Sequence, residues 1–170
     1  GMEHLQPTKQ RGPSLNECFK LTKALIFEAL YTDFPIKQKF REEMLGAAFH
    51  EILQVPEADE FNGAARKRVA GHKYVSSSNV PPKTYLFSVL DWLSEEGFVK
   101  RQGKTSYDYE YQITLKTLQI LGRTPKGLSQ PLGAELGEAL SGVGRETSKA
   151  AISEVIGMII GAATKSMMST

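Results

Sequence analysis

The sequence predicts an α+β fold, mostly α, in which a helical core carries one small β-hairpin and is followed by an additional C-terminal helix. Three observations carry that prediction. Apolar residues recur at helical spacing through most of the chain. Strict alternation is confined to two short runs, Phe98-Val-Lys-Arg101 and Tyr109-Glu-Tyr-Gln-Ile113, on either side of a turn containing Gly103. After Gly127 the aromatics disappear and Gly, Ala, Ser and Leu take over, so the chain changes character there.

Taken in order, residues 1–13 lack apolar periodicity and predict a flexible lead-in. Ser14 followed three residues later by Glu17 is a capping box, in which the hydroxyl and the carboxylate each accept a backbone N–H. A helix begins there, with Phe19, Leu21, Leu25, Ile26, Ala29 and Leu30 in register until Asp33-Phe34-Pro35. The proline disfavours helical geometry at the residue before it. A second helix is expected from Ile36 to about Leu53, with Phe40, Met44, Ala47, Ala48 and Ile52 on one side and Pro56 as its stop. Residues 57–71 predict a shorter helix bearing Phe61, Ala65 and Val69, and residues 72–82, with three serines and two prolines, predict a loop.

Lys83 to Glu96 is the clearest helix, with Leu86, Val89, Leu90 and Leu93 on one face and Gly97 as its C-cap. The hairpin follows, and Thr114 caps a short helix from Leu115 to Leu121. The expected organisation is therefore a core domain over 14–122, a linker over 123–130 and a Gly/Ala-rich amphipathic helical extension over 131–170. That extension carries a continuous apolar stripe, Ile152, Val155, Ile156, Ile159, Ile160 and Ala163, which needs a cover.

The run from Tyr85 to Lys104, continued by Tyr109 to Lys116, orders a helix, a glycine stop, a strand, a polar turn, a second strand and a further helix. In that order it resembles the second half of a winged helix-turn-helix domain, and the resemblance extends over the core domain only. It implies that the helix over 83–96 holds the recognition position, with Lys83, Thr84, Tyr85 and Ser88 near base edges in the major groove. It further implies that Lys100, Arg101 and Lys104 lie on a hairpin wing that meets phosphate or the minor groove. Arg66, Lys67, Arg68 and Lys73 become phosphate anchors on the preceding helix, although the loop over 71–82 is longer than the tight turn of the family pattern.

Charge follows the same division. Residues 66–104 hold 8 basic and 3 acidic side chains, whereas residues 1–65 hold 7 and 10, so the basic excess coincides with the region of resemblance. Each of these residues also has a plainer reading. Asp91, Glu95 and Glu96 make the helix a solvated face, and charges on an edge strand protect it against aggregation. Trp92, Phe98, Tyr107, Tyr109 and Tyr111 have a minor reading as base-stacking platforms, and Trp92 and Phe98 are read chiefly as core aromatics around the hairpin.

The resulting expectation is a DNA-binding protein in the role of a transcriptional regulator, whose partner is double-stranded DNA. A homodimer is expected through Ile152, Val155, Ile156, Ile159 and Ile160, with Gly133-x-x-x-Gly137 and Gly157-x-x-x-Gly161 permitting close helix approach. The same helix folding back on the domain is the other reading of the stripe. The rival function is a non-catalytic protein-interaction module on the same scaffold.

Enzyme chemistry finds little to stand on. His4, His50 and His72 have no partners at metal-ligand spacing, and the glycines at 122 and 127 lack the lysine of a phosphate loop. No nucleophile elbow occurs, so no cofactor, metal or catalytic residue is expected. Cys18, the single cysteine, reads as a small buried hydrophobe and makes the reducing cytoplasm the default compartment. No secretory signal is expected. The apolar run Val155 to Ala163 is too short to span a bilayer, which needs about 20 residues, and a peripheral membrane contact of that helix is the minor reading.

Overall fold

The computed structural model describes residues 14–52, 82–105, 107–141 and 145–168. Among them are six helices and one antiparallel hairpin, a mostly helical α+β fold. In chain order these are α1 (Leu15–Thr32), α2 (Glu43–Ile52), α3 (Pro82–Glu95), β1 (Val99–Gln102), β2 (Glu110–Ile113), α4 (Leu115–Leu121), α5 (Leu132–Ser141) and α6 (Arg145–Met168). The helix expected over 57–71 and the loop over 72–82 fall almost wholly outside the described residues, as does the lead-in over 1–13.

The first helix starts where its capping box sets it. The Glu17 N–H donates to the Ser14 hydroxyl at 3.1 Å, and the Ser14 N–H donates to the Glu17 carboxylate at 2.9 Å. Cys18, Leu21, Thr22, Lys23, Ala24, Ile26, Phe27 and Leu30 are all buried, which is more than one face of a helix. The reason is that α1 is central: it packs against α2, α3, β2, α5 and α6. Cys18 is fully buried, and burial, with the Glu17 carboxylate adding, pushes its thiol up to about 12.

The second helix differs from expectation at its start. It begins at Glu43, because in the segment before it Gln38 forms an isolated antiparallel bridge with Tyr111. The Gln38 N–H donates to the Tyr111 carbonyl at 2.9 Å and the Tyr111 N–H returns a bond at 2.8 Å. Two sheet hydrogen bonds thus hold a segment that periodicity alone assigns to a helix, so the hairpin gains a third strand-like edge.

The helix α3 ends as Gly97 dictates. The Phe98 N–H reaches the Leu93 carbonyl at 2.8 Å and the Gly97 N–H reaches Ser94 at 3.2 Å, with Gly97 at φ 82°. These are the two bonds of a Schellman stop, and they turn the chain directly into β1. In the hairpin Val99↔Ile113 and Arg101↔Tyr111 alternate with Lys100↔Gln112 and Gln102↔Glu110, so Val99, Tyr111 and Ile113 turn inward and Lys100, Gln102 and Gln112 outward. At its base the Thr114 hydroxyl donates to the Gly97 carbonyl at 2.7 Å, and the buried Thr117 hydroxyl donates to Phe98 at 2.7 Å.

The C-terminal segment is not an appendage, which corrects the expected division at residue 122. It holds two helices, and both belong to the single hydrophobic core. Ile152, Val155, Ile156 and Ile159 are buried and Ile160 is half-buried, covered by α1, α2, α4 and α5 of the same chain. The residues expected to form a dimer interface are thereby committed within the chain, and the stripe gives no argument for self-association. Gly133 serves a local close approach, because a Cβ there would lie 2.2 Å from the Tyr31 ring.

Candidate nucleic-acid interface

The helix α3 turns Leu86, Val89, Leu90 and Leu93 into the core, and at 100° per residue the opposite ridge is Thr84, Ser88, Asp91 and Glu95, all exposed. The first half of that ridge is small and polar; the second half is acidic. Lys83 is exposed on its flank, and its amine lies 5.6 Å from the centroid of the Tyr107 ring, which is itself 82% exposed on the hairpin loop. That contact brings the first turn of α3 and the hairpin loop into one surface. Beside them Arg41, Glu42 and Glu43 complete a shallow hollow.

Tyr85 departs from its expected role. It is half-buried against α1, and burial raises its phenol pKa, with Cys18 a lesser cause. A side chain held in that way faces α1 and not a base edge. Ser88 stays exposed but borders the same groove as Tyr85, formed with Leu15, Phe19 and Trp92.

On the hairpin, Lys100 and Lys104 are exposed, and a pair is already made by Arg101. Its guanidinium meets the Asp91 carboxylate at 2.8 Å and lies 4.3 Å from the centre of the Tyr109 ring. The salt bridge ties the wing to the acidic half of α3 and neutralises one of its carboxylates, while occupying part of the Arg101 fork. Tyr111, beneath, is wholly buried, and burial, followed by Asp91, pushes its phenol up to about 12 against the pull of Arg101. Gly103 sits in the turn at φ 126°, and a Cβ would lie 2.8 Å from the Asp108 carbonyl, so only glycine fits.

Two cations absent from the expected set join this face. The Lys37 amine donates to the Gln102 amide on the outer side of the hairpin, and Lys39 is exposed two residues on. The Gln112 amide donates to the Pro35 carbonyl at 2.6 Å, which fastens the same segment to the sheet. The one signal after Pro35 is a lysine at every second position, Lys37 and Lys39, which is too short to outweigh the helical periodicity that follows. Arg66, Lys67, Arg68 and Lys73 lie outside the described residues.

Among the aromatics, Phe98 is buried and stacks on Trp92, with ring centroids 6.2 Å apart. Tyr111 is also in the core, which leaves Tyr107 as the ring standing well clear of it. No cluster of His, Cys, Asp and Glu suited to a metal ion occurs among the described residues, and no helix among them is long and apolar enough to cross a membrane. No known family model, curated protein or solved structure matches the chain.

Proposed function

We propose that this protein binds double-stranded DNA through a winged-helix-like face, in the role of a transcriptional regulator in the cytoplasm. The observation that carries the reading is the bridge between Gln38 and Tyr111. The described elements α3, β1, β2 and α4 keep the helix, strand, strand, helix order on which the sequence resemblance rests, and the bridge adds a strand-like edge to their hairpin. The bridge also brings Lys37 beside the hairpin, so the exposed cations Lys37, Lys39, Lys100 and Lys104 accompany the polar first turn of α3.

A fluorescence-anisotropy titration against mixed-sequence duplex at several salt concentrations tests this. Each phosphate contact contributes about −0.9 to the slope of log K against log salt, so Lys37→Ala, Lys100→Ala and Lys104→Ala should each flatten the slope by about that amount. Asp91→Asn should strengthen binding on all sequences alike, because it removes a phosphate-repelling charge and releases Arg101. Absence of binding at low salt sinks the proposal. The acidic half of the α3 ridge, Asp91 and Glu95, would then favour the protein-interaction reading.

A further inference from the structure

Tyr111 carries a buried oxygen with nothing to bond. The residue is wholly buried, and its hydroxyl is the one buried side-chain polar atom among the described residues that no hydrogen bond of good geometry reaches. A hydroxyl held out of water without a partner costs stability, so its retention asks for a reason.

The neighbourhood supplies one. Tyr111 stands directly opposite Arg101 in the hairpin register, and β1 packs against α3, where Arg101 bridges to the half-exposed Asp91 at 2.8 Å. Both charged groups act on the phenol: after burial, Asp91 is the next cause raising its pKa, while Arg101 lowers it by its charge and by a loose approach to the oxygen. Hydroxyl, guanidinium and carboxylate therefore share one place, in which Arg101 holds Asp91 and the hydroxyl holds nothing. A salt bridge this exposed contributes little, so the guanidinium is free to leave it for a phosphate that uses its fork better.

We infer that the Tyr111 hydroxyl is the standby partner of Asp91: when a phosphate draws the Arg101 guanidinium away, the hydroxyl donates to the carboxylate left behind. The inference deepens the DNA-binding reading and rests on it for the phosphate. Without the exchange, breaking the bridge would leave Asp91 unpaired beside the phosphate it repels. With it, the carboxylate gains a donor and the buried hydroxyl gains an acceptor in the same step.

The pairing is tested without DNA by urea unfolding of the full chain. Tyr111→Phe removes the hydroxyl and keeps the ring, so in the unaltered chain it should leave the folding equilibrium constant unchanged or raise it. Arg101→Met vacates Asp91 and supplies no donor. In that background Tyr111→Phe should lower the constant about five- to tenfold, the worth of one hydrogen bond to a half-solvated carboxylate. Adding Asp91→Ala should erase the loss. An equal effect of Tyr111→Phe with and without Arg101 overturns the inference, and so does a loss that survives Asp91→Ala. On duplex DNA, Tyr111→Phe should weaken binding by a like factor in the unaltered chain and make no difference in Arg101→Met. Duplex binding indifferent to Tyr111→Phe in the unaltered chain overturns the exchange. A chain that binds no duplex fails the DNA reading instead, and the unfolding comparison still decides whether the standby bond forms.

Discussion

Two positions on α6, two residues apart, test whether the C-terminal helix belongs to the core. Ile159 is fully buried, whereas a Cβ built on Gly157 meets no atom within 4 Å. Ile159→Ala removes three buried carbons and leaves a cavity, at a cost of about 2–5 kcal/mol. For a chain of this length each kcal/mol is worth roughly 2–4 °C, so a mid-range loss of about 3 kcal/mol lowers the melting temperature by about 6–12 °C. Gly157→Ala meets no obstacle and relieves the entropic penalty of glycine in a helix, a gain of about 0.5–1 kcal/mol. Thermal and urea unfolding followed by circular dichroism measure both. An Ile159→Ala effect below about 1 kcal/mol would refute the placement of α6 in the core. Destabilisation by Gly157→Ala would show that the outer face is packed in solution, against what the structure gives.

Gly133→Ala sets a similar gain in helix propensity against a Cβ 2.2 Å from the Tyr31 ring, and should be destabilising by about 1–3 kcal/mol. Combining it with Tyr31→Ala should recover part of that loss, and a double-mutant cycle showing strict additivity would contradict the contact. Glu17 is held below its ordinary pKa first by the Ser14 backbone N–H, against burial, with Lys149 at 3.4 Å adding to the effect. Its folded value is the lower one, so its contribution is present above the ordinary value near 4.5 and lost as the pH falls through the folded value. Glu17→Gln should therefore lower the urea midpoint at pH 7, and the gap from the parent should close in acid; a gap independent of pH would contradict this.

Local signals were legible where local chemistry decides the outcome. The Ser14 box, the Gly97 stop and the Thr114 cap each depend on atoms a few residues apart, and the structure contains all three. Two readings failed where a distant segment decides. The helix periodicity near Ile36 is overridden by hydrogen bonds to Tyr111, more than 70 residues away. The stripe from Ile152 to Ala163 announces that something covers it, but the pattern of one helix does not say whether the cover is the same chain or another. At the candidate interface the types were legible and the pairings were not. Nothing in the spacing of Asp91 and Arg101 distinguishes two solvated charges from a bridge at 2.8 Å.

The location of α1 explains why the two halves of the chain cannot be treated separately. Phe19, Lys23 and Phe27 face the α3 and hairpin side, where they meet Trp92 and Phe98. Lys20 and Glu17 face α6, where they meet Ser153 at 2.8 Å and Lys149 at 3.4 Å, and Tyr31 meets α5 at Gly133. At 100° per residue these sets are centred roughly a quarter-turn apart on one helix. A helix covered on only one side would leave Leu21 and Ala24, both buried now, in water. The C-terminal helices therefore complete the support on which α3 and the hairpin are positioned. Their apolar stripe is accounted for by that support, with no second subunit required to explain it.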